Sequence, residues 1–259
     1  MKLTFHGVRG STPVSGTDFS RTGGHTSCIA VALGDALPTL VLDAGTGLQR
    51  LAREFGSQPF VGTILLTHMH WDHLQGLPFF PPGDRDDARA TLMQPAQGEP
   101  VALLSRAMSP PHFPIGPDGL RGQWQHVGLE PGKHDIEQFE VVATDVQHKG
   151  GRTYGYRVSA NGVTFAYVPD ALDVSRDAIL GLAEGADLLV RGAPFLAAEH
   201  ERAELFGHGT VEASIDVARE AGARLIVTHH GPMRTDDAVD EIGERFGVAV
   251  AREGLTITL

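Results

Sequence analysis

Apolar residues in the first quarter of the chain come in short runs: KLTFHGV (2–8), SCIAVAL (27–33), TLVLDAG (39–45) and VGTILLT (61–67). Gly, Pro and polar residues separate them. Runs of this length, apolar throughout or alternating, predict β-strands. GLQRLAREF (47–55) carries the helical period and predicts a helix between the last two. From about residue 79 to 122 the pattern breaks up into Pro- and Gly-dense stretches such as FFPPGDRDD and SPPHFPIGPDG, with one short helix expected near PVALLSRAM (100–108). This segment reads as an insertion or lid. Strand patterns resume with FEVVATDVQH (139–148), RTYGYRVSA (152–160) and GVTFAYVPD (162–170), the last two joined by Ala-Asn-Gly, a hairpin signal. Helix and strand then alternate through VSRDAILGLAEG, ADLLVRG, TVEASIDVAREAG, ARLIVTH and TDDAVDEIGERFG to a last short strand, LTITL.

Two β-rich halves, each completed by helices, predict one α/β domain over residues 1–259: an αββα sandwich of two mixed β-sheets with helices on the outer faces. The polar clusters fall where strands end, which is where such folds place their sites. A 41% hydrophobic and 20% charged composition excludes disordered and fibrous classes. No apolar run reaches the roughly 18 residues of a membrane span, and MKLTFHGVRGSTP lacks the apolar core of a secretory signal. The expectation is a cytoplasmic protein with no membrane partner. A lone cysteine, Cys28, excludes an internal disulfide and a multi-cysteine zinc site, so nitrogen and oxygen must hold any metal. The net charge of −11 argues against sliding along nucleic acid, which needs a basic surface, and leaves a small anionic substrate compatible.

The densest chemistry follows VGTILLT. In THMHWDH (67–73), His68 and His70 are two apart and point the same way on extended backbone, and Asp72 and His73 come where a helix is expected to begin. Helical His-Glu-x-x-His sites space their ligands differently. A single histidine in a loop usually just faces solvent; four donors in six positions after an apolar strand predict metal. Imidazole and carboxylate suit Zn²⁺, and Mn²⁺ accepts the carboxylates.

THMHWDH resembles the His-x-His-x-Asp-His signature of the metallo-β-lactamase superfamily, and companions follow in order across nearly the whole chain. DAGTGL (43–48) resembles an early Asp-bearing loop, VQHKGGRTYGYRV (146–158) the loop of a third histidine, YVPD (167–170) the strand ending in a bridging aspartate, and IVTHH (226–230) the last histidine. The resemblance implies two divalent ions, Zn or Mn, with His68, His70 and His148 on the first, Asp72, His73 and His229 on the second, and Asp170 bridging. His229 is favoured over His230 because it directly follows the strand. Such an ion pair lowers the pKa of a water between them and stabilises charge at the attacked centre, which makes a hydrolase. Asp72 would also orient that water.

GHGTVEASIDVAREAGARLIVTHH (207–230) resembles the phosphodiesterase branch, in which a histidine before a helix, here His208, contacts the phosphate or protonates the leaving oxygen. The plainer alternative is a helix N-terminal residue with Thr210 as cap. GVRGSTP and RTGGHTSCIAVAL resemble the opening of small phosphodiesterase-like members; His25 is at most an outer contact there, and His6 a core residue. No long substrate-gripping arm is apparent and the chain is acidic, so the expected partner is a small cyclic phosphodiester, a cyclic nucleotide foremost, with no long nucleic acid. SPPHFPIG would set His112 and Phe113 over the pocket, or is a Pro-rich surface loop. Arg191, where relatives commonly carry a His-Asp pair, would contact a phosphate or bridge to the Glu-rich segment after it. Resemblance also implies a homodimer. The alternatives are an acyl hydrolase of thioesterase, lactonase or β-lactamase type on the same fold, and a nucleotide-binding member without turnover.

Overall fold

The structure is a computed structural model and describes residues 1–259. Strands β1 (Lys2–Gly7), β2 (Cys28–Ala32), β3 (Leu40–Leu42), β4 (Val61–Leu65), β5 (Arg89–Pro95), β6 (Gln123–Leu129) and β14 (Thr256–Thr258) form one sheet, ordered β14-β1-β2-β3-β4-β5-β6. Strands β7 (Gly132–Ile136), β8 (Phe139–Val146), β9 (Thr153–Ala160), β10 (Val163–Val168), β11 (Leu188–Gly192), β12 (Arg224–Thr228) and β13 (Ala249–Val250) form the other, ordered β13-β12-β11-β10-β9-β8-β7. Both are mixed: β3 to β6 run parallel, as do β10 to β13, and the remaining pairs are antiparallel.

Alternation decides which face each residue takes. Leu3 and Phe5 of β1 and Ile29 and Val31 of β2 meet Val141, Val158 and Phe165 from the opposite sheet in the inner core. The other face of the first sheet, with Ala30, Val41 and Ile64, is covered by Leu48, Leu51 and Phe55 of α1 (Gly47–Phe55) and Leu104 of α2 (Pro100–Ser105). Ala166, Val168 and Leu189 on the second sheet lie under α3 (Arg176–Ala183), α4 (His200–Phe206) follows in the chain, and α5 (Val211–Ala221) completes that cover. Val227 and Ile242 seal α6 (Asp236–Phe246) onto the same sheet. The result is the expected αββα sandwich. The turn between β9 and β10 has Asn161 at φ 52 and Gly162 at φ 81, the paired positive φ that a two-residue hairpin loop requires. No helix is long and apolar enough to cross a membrane.

The expected insertion over 79–122 is corrected by β5, which pairs with both β4 and β6 inside the first sheet. Ala90 and Leu92 are buried there, but Arg89, Thr91 and Gln94 interrupt the apolar pattern and Pro/Gly-rich flanks hide it. Only the stretches on either side leave the sheet. Strands β6 and β7 and the short helix α4 are also additions to the sequence reading, each too polar or too brief for periodicity to mark.

Candidate metal centre

The donors converge from the ends of strands in both sheets. After β4 the chain passes through Thr67 to His68 and His70, then a 3-10 turn at Trp71–His73 carries Asp72 and His73. The loop after β8 brings His148, the end of β10 brings Asp170, and the end of β12 brings His229. Asp170 Oδ2 lies 3.5 Å from His68 Nε2, 3.5 Å from His73 Nε2 and 3.4 Å from His148 Nε2, while its Oδ1 lies 3.0 Å from His229 Nε2. Asp72 Oδ2 is 3.3 Å from His73 Nε2 and 3.2 Å from His229 Nε2. His70 Nδ1 and His148 Nε2 are 3.3 Å apart. His230 turns away, its Nε2 on the Ala251 carbonyl at 2.9 Å.

These distances test whether ions fit. Two sets, His68-His70-His148-Asp170 and Asp72-His73-His229, each hold their donor atoms within 4.8 Å of one another. Tetrahedral bonds of ~2.0–2.1 Å separate neighbouring ligand atoms by about 3.3–3.4 Å, the spacing found here. His68 Nε2 and Asp170 Oδ1 are buried without a hydrogen-bond partner, a cost that a cation would remove. The residues therefore fit two divalent ions that share Asp170.

Neighbours orient the imidazoles. Asp43, at φ 61 after β3, accepts from Thr67 N at 2.7 Å, Thr67 Oγ1 at 3.0 Å and Tyr167 Oη at 2.8 Å, and its Oδ2 is 2.8 Å from His73 Nδ1. A carboxylate there fixes the proton on Nδ1 and aims the Nε2 lone pair at the ion position. The Gly207 carbonyl, 2.6 Å from His148 Nδ1, does the same for His148. Ser11 N donates to Asp72 Oδ2 at 2.6 Å, and Gly10 packs so closely on His229 that a Cβ would lie 2.2 Å from the imidazole. DAGTGL flagged Asp43 in the sequence without a role; nothing there flagged Thr67, Tyr167 or Ser11.

Charge follows burial and neighbours. Burial disfavours the Asp170 carboxylate, but His229, His208 and His73 outweigh it and hold Asp170 well below the ordinary range. Burial likewise opposes a proton on His229, yet Asp170 and Asp72 raise it to about 9. His68 lies in the opposite balance, lowered well below the usual imidazole value by burial and by His73.

His208 precedes α5, whose N-terminus Thr210 caps by accepting from Ala213 N at 3.3 Å. Its ring centroid is 5.1 Å from those of both His148 and His229, and its Nδ1 is 3.9 Å from Asp170 Oδ1. Burial pushes it down to about 3, with Asp170 offsetting in part, so the imidazole is neutral and offers an N–H. Arg191 is corrected: it is buried, donating to the carbonyls of Ala171 at 2.7 Å and Val168 at 3.3 Å, and faces Asp173 at 3.9 Å. Asp173 in turn accepts from Thr210 N and Oγ1, so Arg191 braces the loop of His208 and reaches no substrate. His112 and Phe113 are corrected too. His112 is exposed, Phe113 stacks edge-on with Phe79 at 5.8 Å, and neither lines the cavities at the centre. His25 lies outside the cluster, and buried His6 stands 3.3 Å from Glu54.

The mouth above the donors, about 450 Å³, is bounded by Ser11, Met69, Trp71 and Phe206, of which Trp71 is 71% exposed.

Comparison with known proteins adds identity to this geometry. The β-lactamase superfamily domain matches residues 38–230, a span that holds every donor named. Ribonuclease Z of Haloarcula marismortui is 26% identical, the alignment covering 98% of this chain and 96% of that protein. Ribonuclease Z of Myxococcus xanthus is 25% identical over 100% and 98%. The short form of human tRNase Z shares the fold at TM-score 0.74 and 22% identity, covering 100% of this chain and 99% of its own. A metallo-β-lactamase fold protein of Bacillus subtilis does so at TM-score 0.77 and 18% identity, over 99% of both chains. The expectation of a small cyclic phosphodiester and no long nucleic acid is overturned by the ribonuclease relatives, which match the chain nearly end to end. Net charge sums the whole surface and does not measure the mouth, and an arm is not the sole means of gripping a polymer.

Proposed function

The chain belongs to the β-lactamase superfamily, and from that premise we propose that it is a metal-dependent phosphodiesterase that cuts an RNA chain. His68, His70 and His148 would hold one ion, Asp72, His73 and His229 the other, with Asp170 shared; Zn²⁺ suits the imidazole-rich set and Mn²⁺ the carboxylates. Two ions there would supply an activated water and positive charge at phosphorus. The chain's own residues do the rest. Asp72, pinned through Oδ2 by Ser11 N and aligned by the 3-10 turn, orients the attacking water. His208 donates its N–H to a phosphate or leaving oxygen as negative charge grows there.

One observation carries the reading: the His208 imidazole sits astride both donor sets, 5.1 Å from each flanking ring, close enough to Asp170 and His229 to form a donor group with them while the two sets keep their own donors without it. The ribonuclease relatives support RNA as the polymer. The test is to give Zn²⁺- or Mn²⁺-loaded protein a structured RNA with a 3′ extension and to identify the new ends. His208→Ala should lower kcat by about 100-fold or more with metal content unchanged. RNA left intact while a thioester or lactone is hydrolysed would refute the reading.

A further inference from the structure

Four rings step outward from the metal cluster at near-regular spacing. From His229 the His208 ring is 5.1 Å away, the Phe195 ring is 6.1 Å from His208, and the Phe206 ring is 6.2 Å from Phe195 with the two planes only 6° apart. The first two are buried, Phe195 is half-buried and Phe206 is 53% exposed, so the row runs from interior to solvent. Beside it lies a cavity of about 340 Å³, reaching His208 and His229 at one end. That is within the roughly 300–1,000 Å³ of small-ligand sites. Phe206 lines both this cavity and the mouth above the ions, as do Ser11, His208 and His229, so the two adjoin at its ring.

The charged wall of the cavity is unbalanced. Arg202 and Arg234 both engage the single carboxylate of Glu199, which leaves one positive charge uncompensated. The guanidinium carbon of Arg202 also sits 5.7 Å from the Phe195 ring centroid. Exposed aromatic faces beside a spare guanidinium make the kind of surface on which an unpaired base stacks.

We propose that this cavity seats the base of the nucleotide on the leaving-group side of the cut, with Phe206 as its stacking platform and specificity-determining residue. The proposal rests on the phosphodiesterase reading above. His208 sets the side: it lines both the mouth above the ions and the cavity, so a phosphate that presents its leaving oxygen to His208 continues past it into the cavity. Backbone ties the platform to the centre. Helix α4 ends at Phe206, and Gly207, left-handed at φ 82, aims its carbonyl at His148 Nδ1. A Cβ on Gly207 would come within 2.9 Å of that nitrogen, which demands glycine and holds Phe206 in register with a metal donor. Recognition by the face of a ring favours purines over pyrimidines without reading hydrogen-bonding edges.

The test uses RNA carrying 2-aminopurine at successive positions around the cut, whose fluorescence falls on stacking, read by stopped flow before turnover. Wild type should quench the leaving-side nucleotide. Phe206→Ala, an exposed change that spares the fold, should lose the quench and raise KM about 10- to 100-fold with kcat changed less than about threefold; Phe206→Trp should restore both. On RNA lacking that one base, wild type and Phe206→Ala should share one KM. Quenching at other positions alone, or an equal loss on the abasic RNA, overturns the proposal. Quenching needs binding and not turnover, so the two readings separate. Quench without cleavage refutes the phosphodiesterase and supports the base seat, cleavage without quench refutes the base seat, and absence of both refutes the two together.

Discussion

Asp43→Asn exchanges one oxygen for an amide nitrogen and leaves the shape unchanged. In the protein the two carboxylate oxygens are met entirely by donors: Thr67 N and Oγ1 at Oδ1, Tyr167 Oη at Oδ2, and His73 Nδ1 at 2.8 Å from Oδ2. An NH2 at the Oδ2 position opposes two of them. The Tyr167 hydroxyl can turn, but His73 can answer only by moving its proton to Nε2, where the lone pair for the ion has to be. With the amide reversed, the NH2 meets the Thr67 backbone N–H, which cannot move, and a buried unpaired donor costs about 1–3 kcal/mol. Losing the carboxylate behind a ligating histidine lowers metal affinity about 10- to 100-fold, or about 1.4–2.7 kcal/mol. Urea unfolding of metal-loaded protein should therefore drop by about 1–3 kcal/mol, and chelator competition should show the ion on Asp72, His73 and His229 weakened most. The ion at His148, oriented by Gly207 instead, serves as an internal control. Wild-type affinity at both ions with an unchanged urea midpoint would refute this account of how His73 is held.

Three further outcomes follow from other parts of the chain. Burial, with Arg50 adding, lowers His6 to about 4 from an ordinary 6.5, so folding favours its neutral form. That stability is fully present above pH ~6.5 and is lost as pH falls toward 4, by about 3 kcal/mol; urea midpoints should fall less steeply with acid in His6→Leu, and a matching slope in both proteins would show His6 uninvolved. Arg191→Met removes the charged donor to the Ala171 carbonyl and the facing charge for Asp173, so it should cost about 2–3 kcal/mol and lower kcat more than it raises KM; a pure KM effect would return Arg191 to the substrate. Gly10→Ala drives a Cβ into the His229 imidazole and should cost about 1–3 kcal/mol of overpacking together with the second ion, read by metal analysis.

Strands β4 and β11 were legible because burial makes them short and mostly apolar, with Thr63 and Arg191 their only polar members. The Asn-Gly turn was legible because few residue pairs tolerate two positive φ values. Strand β5 was not, since Arg89, Thr91 and Gln94 lie on it and its flanks are rich in turn formers. In the site, residues adjacent in sequence announced themselves, as His68 to His73 do. The scattered donors His148, Asp170 and His229 came only through the resemblance, and the contacts that orient the ligands did not come at all: the Asp43-Tyr167 contact joins residues 124 apart. Arg191 misled because a lone arginine near a motif looks the same whether it faces solvent or buried backbone carbonyls. The substrate misled because total charge carries no address.

Each donor set draws on both sheets. His68, His70, Asp72 and His73 leave the first, whereas His148, Asp170 and His229 leave the second. Neither half of the sandwich supplies a whole donor set by itself, so the complete sites form only after the layers have met. Metal should then leave the early refolding steps untouched and act on the last, closing a seam between two sheets already joined by side-chain packing and by hydrogen bonds such as Tyr167 to Asp43. An ion supplied too early finds no site; one withheld leaves the sheets assembled but unstapled, and the open end of that seam is where unfolding should begin.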